Sequence, residues 1–79
     1  MPRYIDQHKM GSITPEMLHK MQNEPRDEFG ILHHEIFYNK EDDKVWCVVD
    51  APDKESVRKH HTKAGVEVEW VHEIESTLD

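Results

Sequence analysis

The chain is poor in the residues that staple a fold, span a membrane or grip nucleic acid. One cysteine, Cys47, in 79 residues excludes an intrachain disulfide. Apolar residues make up only 35%, and no apolar run approaches the roughly 20 residues of a membrane-spanning helix. The stretch from Met1 to Met10 lacks the apolar centre of a signal peptide, so a cytoplasmic protein is expected. Ten basic residues face seventeen acidic ones, for a net charge of −7. That balance argues against non-specific binding to nucleic acid or an anionic membrane, both of which need a basic patch. The length suits one small domain over residues 1–79 with a modest core, which pairing of two copies would help to cover. Two Trp, two Tyr and two Phe supply enough aromatic bulk for a folded chain rather than a disordered one.

What the sequence has in excess is histidine: His8, His19, His33, His34, His60, His61 and His72. They are dispersed, so they form neither a tag nor a low-complexity tract. Neutral imidazole is the commonest metal ligand and carries protons near neutral pH. An acidic protein with many surface histidines is the plain alternative.

Residues 3–9 alternate, with Tyr4, Asp6 and His8 on one face of an expected strand. Thr14-Pro15-Glu16 is a helix start: a capping hydroxyl, proline at the first helical position and an acid near the positive end. Ile13 and Leu18 stand at staple positions, and Met17, Leu18 and Met21 supply an apolar stripe. Pro25 ends this helix near Asn23. Residues 31–39 read as a second strand, 40–43 as a turn and 44–50 as a third strand. The third is nearly continuous in apolar residues and is expected to be buried on both faces. Asp53 caps a second helix that runs to Ala64, with Gly65 placed for a left-handed cap. Val57, His61 and Ala64 share its inward stripe. Residues 66–75 alternate again, placing Val66, Val68, Trp70, His72 and Ile74 on one side and Glu67, Glu69 and Glu73 on the other.

The order β-α-β-β-α-β predicts an α+β, ferredoxin-like sandwich: a four-stranded antiparallel sheet with two helices on one face. The third strand slots between the first and second. The bare sheet face favours a homodimer, anchored by Trp46 or Trp70.

Asp6 and His8 are spaced two apart on a strand, so both side chains share a face, roughly 7 Å apart at the backbone. This allows a metal-ligating imidazole with a carboxylate as second ligand or as orienter. By itself Asp-x-His arises often by chance. His61 points at the sheet; such a residue is either a ligand or a hydrogen-bonded core histidine. If the polar face of the first strand looks into the same layer, Asp6, His8 and His61 converge, with Cys47 nearby. Cys47 also fits a small buried hydrophobe. His33 and His34 point to opposite faces, and His60 lies at the stripe's edge; these three are second-rank ligand candidates. Zinc-finger spacing, His-Glu-x-x-His, a glycine-rich phosphate loop and a Ser/His/Asp order are all missing, and no catalytic residue is assigned.

Four blocks resemble a small prokaryotic family: Pro2-Arg3-Tyr4-Ile5-Asp6-x-His8, Phe29-Gly30-Ile31, Trp46-Cys47-Val48-Val49-Asp50-Ala51-Pro52-Asp53, and Val57-Arg58-x-x-His61-x-x-Ala64-Gly65. The family is of unknown function and carries a nickel-binding label from one actinobacterial nickel-responsive member. The resemblance spans nearly the whole chain. It implies a dimeric ferredoxin-like fold and Ni²⁺ binding, and it weights Asp6, His8, Cys47 and His61 above the other candidates. The chain departs from the family pattern at Ala64, where a histidine is usual, at Pro25 in the first helix, and at His33-His34, where aromatic or aliphatic residues are usual.

Two functions follow. In the first, the chain binds a divalent transition metal: Ni, with Zn and Cu equally suited to imidazole. In the second, it is a cofactor-free small-molecule binder or enzyme in which Asp6 and His8 form an acid–base pair and Tyr4 or Trp46 line a pocket. A plain interaction module remains if there is neither a metal nor a pocket.

Overall fold

The computed structural model describes residues 1–78, arranged as β1 (Arg3–His8), α1 (Pro15–Gln22), β2 (Leu32–Asn39), β3 (Lys44–Asp50), α2 (Lys54–Lys63) and β4 (Val68–Ile74). The strands form one antiparallel sheet in the order β2-β3-β1-β4. β3 therefore lies between β2 and β1, as the ferredoxin-like pattern requires. α1 lies over β2 and α2 over β4. No helix among the described residues is long and apolar enough to cross a membrane.

Local chemistry starts and stops each helix where the sequence indicated. The Thr14 hydroxyl accepts from the Met17 amide, with Pro15 at the first turn, and Asn23 closes α1. The Asp53 carboxylate accepts from the Ser56 amide, and Gly65, at φ +76°, turns the chain out of α2. The hairpin between β2 and β3 closes at the Asn39–Lys44 pair, and Asp43 takes the left-handed conformation in its turn.

Side chains from both helices meet the sheet in one core of Tyr4, Met10, Leu18, Ile31, Val45, Cys47, Val49, Ala51, Val57 and Val71. Three expectations change here. β3 is fully buried on one face only: Val45, Cys47 and Val49 face the helices, while Trp46 and Val48 on the other face are half-buried. Met17 and Ala64 are exposed, so the inward stripes of α1 and α2 are narrower than their periodicity implied. The third change is in β4. Gln7 pairs with Trp70 and His8 with Val68, leaving Glu69 as an extra residue in a bulge. The bulge reverses the alternation, so Val71 enters the core while Trp70, His72 and Ile74 lie on the uncovered face.

A second bulge lies in β2. His33 pairs with Val49 and Glu35 with Val48, leaving His34 unpaired. Without it, His33 and Ile36 would sit on opposite faces; with it, both face the helices. The Gln22 side chain of α1 fixes this irregularity by donating to the His33 and His34 carbonyls at 3.3 and 3.0 Å.

Candidate metal centre

β1 and β3 pair with Asp6 directly opposite Cys47. Opposite residues in an antiparallel pair share a face, with Cβ atoms about 5 Å apart. His8 lies two residues on, on the same face. From above, α2 lowers His61 one turn after Val57. The carboxylate, the two imidazoles and the thiol each bring one ligand atom to a common point, all within 4.8 Å of one another. All four residues are buried, Asp6 and Cys47 fully and His8 and His61 to within 2%.

The backbone sets which imidazole nitrogen faces this point. A carbonyl can only accept, so His8 Nδ1 donates to the Lys9 carbonyl (2.7 Å) and His61 Nδ1 to the Val57 carbonyl (2.8 Å). Each Nε2 then turns inward: His8 Nε2 lies 3.8 Å from Cys47 Sγ, and His61 Nε2 lies 3.4 Å from Asp6 Oδ1. The second contact is close enough for attraction but lacks hydrogen-bond geometry. Both Asp6 oxygens and His61 Nε2 are left buried without a hydrogen-bond partner. Orphaned buried polar atoms are rare because each costs its full desolvation energy. Asp6 and His61 each bring such an atom to the common point, the pattern of a site built for something else to fill.

Electrostatics follow from this geometry. Burial pushes the His8 imidazole below its ordinary value, and the bond to Lys9 only partly offsets that. Burial works against a charge on His61 as well, but the Asp6 carboxylate and the Val57 carbonyl outweigh it and hold His61 above the usual range. Burial, then the Asp6 charge, raise the Cys47 thiol well above its ordinary value. This thiol is no exposed nucleophile.

Of the second-rank candidates, His33 and His60 border the cluster: their rings lie 5.4 Å apart, and His60 lies 5.1 Å from His61. Burial, with the two nearby imidazoles, lowers His33 to about 4. His34 faces the other way, bonded to Asp50 at 2.8 Å and Arg3 at 3.0 Å, and does not join. His19 and His72 are exposed. The residue that sequence reasoning missed is Asp27, whose carboxylate takes a hydrogen bond from His60 Nδ1. No spacing links two residues 33 apart. The only local signal is an acid three residues before the turn glycine Gly30.

The acid–base reading needs substrate access that Asp6 and His8 do not have. A cleft of about 660 Å³ opens elsewhere, between residues 9–13 and 64–69.

The crystal structure of SCO4226 from Streptomyces coelicolor A3(2) resembles this chain with a TM-score of 0.77 at 20% sequence identity, covering 95% of this chain and 98% of that one. That likeness shows a shared fold. No curated protein matches the chain. A family model described as nickel responsive protein, SCO4226-like, matches residues 4–74.

Proposed function

This chain belongs to the SCO4226-like family of nickel-responsive proteins, and from there we propose that it binds one divalent transition ion, nickel foremost, between the sheet and α2. The ligands are an Asp6 oxygen, the Nε2 atoms of His8 and His61, and Cys47 Sγ. The observation that carries this reading is the set of buried, partnerless atoms on Asp6 and His61 that face the same point as the His8 nitrogen and the Cys47 sulfur.

The donor set fits such an ion. Two imidazoles, a thiolate and one carboxylate favour borderline ions (Ni, Cu, Zn) over the oxygen-seeking Mg and Ca. Two anionic and two neutral ligands cancel a charge of +2, so the filled site is neutral, the cheapest state for a buried centre. Four ligands around an ion with bonds of about 2.0–2.3 Å stand roughly 3.5 Å apart, so the side chains need only contract by short torsional movements. The carbonyls of Lys9 and Val57 hold both rings with the ligating nitrogen inward. When bound, the ion replaces the His61 proton as the positive charge facing the Asp6 carboxylate.

Titration of the tag-free protein with Ni²⁺, Zn²⁺ and Cu²⁺ near pH 7.5 tests this. A tight, saturable equivalent that His8→Ala with His61→Ala removes is the expected outcome. Absence of saturable binding for all three ions overturns it.

Two further points belong to the same proposal. The chain acts as a homodimer joined through the uncovered sheet face, where Ile5, Trp46, Val48 and Trp70 are half-buried and Phe37 is 48% exposed. It works in the cytoplasm, where a thiol ligand stays reduced.

A further inference from the structure

We propose that His33 and His60 form a second metal site, beside the first, that takes a borderline divalent transition ion through two imidazole Nε2 atoms with water completing its coordination. This goes beyond the four-ligand site, uses none of its ligands and does not depend on it.

A repeated geometry supports this site. In the first cluster the His8 and His61 rings lie 5.2 Å apart at 61°. The His33 and His60 rings lie 5.4 Å apart at 60°. Two imidazoles sharing one ion at about 2.1 Å hold their ring centres roughly 5 Å apart, so each pair has the spacing of a shared ligand. The two pairs adjoin through His60 and His61, at 5.1 Å and nearly perpendicular.

The Nε2 atoms of both His33 and His60 are buried and have no hydrogen-bond partner. Buried donors and acceptors left in this state call for a missing partner. The His60 ring is also held in place, and the backbone that carries His33 is fixed. The Asp27 carboxylate accepts from His60 Nδ1, and its other oxygen is fixed by the Phe29 and Ile31 amides, both at 2.9 Å. A carboxylate holding the far nitrogen of an imidazole is the usual support of a metal ligand. The β2 bulge turns His33 inward, and Gln22 pins that bulge.

The chemistry sets the class of ion and its strength. Two neutral nitrogens favour Cu, Ni and Zn over Mg and Ca. With two protein ligands against four, and no anionic ligand on the ion, the second site is the weaker of the two.

The test is a titration of the metal-free, full-length protein with NiCl₂ and ZnCl₂, read by calorimetry and by the ¹⁵N resonances of the histidine rings. Two equivalents are expected, one tight and one weak. The weak one should shift the Nε2 signals of His33 and His60. His33→Phe and His60→Phe should each lose the weak equivalent and keep the tight one, whereas Cys47→Ser should weaken the tight one and keep the weak one. The resonances of the unsubstituted protein give the answer even if a variant does not fold. A single equivalent that leaves the His33 and His60 signals unmoved, as a bridging water alone would, overturns the second site without touching the first. Retention of both equivalents in His33→Phe and His60→Phe also overturns it. Loss of binding in those two variants, with Cys47→Ser unaffected, would instead uphold the second site and defeat the first.

Discussion

His61 Nε2 stands 3.4 Å from Asp6 Oδ1, and neither side chain reaches water. A helix and an inner strand of the sheet thus bring an imidazole and a carboxylate, fifty-five positions apart, into one dry layer. Where His61 is neutral, the Asp6 charge has no partner in the folded chain, a state that costs stability.

Replacing Asp6 by Asn removes that charge, and the new amide can donate to His61 Nε2. Asp6→Asn should therefore leave the metal-free protein as stable as before or more stable, by about 1–2 kcal/mol, while metal affinity collapses. Thermal unfolding at pH 8 in chelator, alongside a nickel titration, checks both halves. A destabilised, metal-competent variant would contradict the assignment.

Cys47→Ser is nearly isosteric and exchanges a soft ligand for a hard one. Affinity for Ni²⁺ should drop on the order of 100-fold, at least the cost of disturbing a group that merely orients a ligand. The near-ultraviolet sulfur-to-metal band should vanish with it. Absorption spectra of the loaded protein and its variant decide this; an unchanged band would place the ion away from Cys47.

Binding should release protons. The Cys47 thiol, pushed up by burial and by Asp6, is protonated at neutral pH, so loading frees about one proton there. His61, held up by Asp6, must also lose its proton, whereas His8 is already neutral because burial lowers it. Affinity should therefore fall as pH drops because the thiol must lose its proton, and fall more steeply through the raised range of His61, not the lowered range of His8. Calorimetry in buffers of different ionisation enthalpy counts the protons, and Cys47→Ser should remove one of them.

The metal-free fold should weaken in mild acid. His33 sits at about 4 in the folded chain because burial opposes its charge, against roughly 6.5 when unfolded. A lowered histidine contributes its full stability above the unfolded value and loses it as pH falls towards 4, here about 3 kcal/mol. His61 has the opposite sign: its contribution is complete below the unfolded value and fades as pH rises through its raised one. Urea midpoints between pH 7 and pH 4.5 should decline in the parent chain and decline less in His33→Phe. Parallel declines would remove His33 as the cause.

Sedimentation tests the dimer. Phe37 and Trp70 lie on the uncovered sheet face, so Phe37→Asp with Trp70→Asp should convert a dimer to a monomer while α2 and the ligand cluster stay in place. A parent chain that sediments as a monomer at micromolar concentrations would end the proposal.

The sequence by itself determined the element order, the helix caps and turns, and the shared face of Asp6 and His8, because these rest on local chemistry. Thr14 and Asp53 need only their own first turns, and period-two spacing puts Asp6 and His8 on one face whatever lies above them. Only the tertiary structure decided the rest. A bulge is a property of a strand pair, so nothing in residues 66–75 alone shows that Glu69 is skipped and Val71 turned inward. The same holds for His34, whose bulge places His33 beside His60. Asp27 meets His60 only after the chain has folded back over the sheet. Periodicity assigns a residue to a face; which partner waits on that face is set by strand register and helix placement, through contacts between residues far apart in the chain.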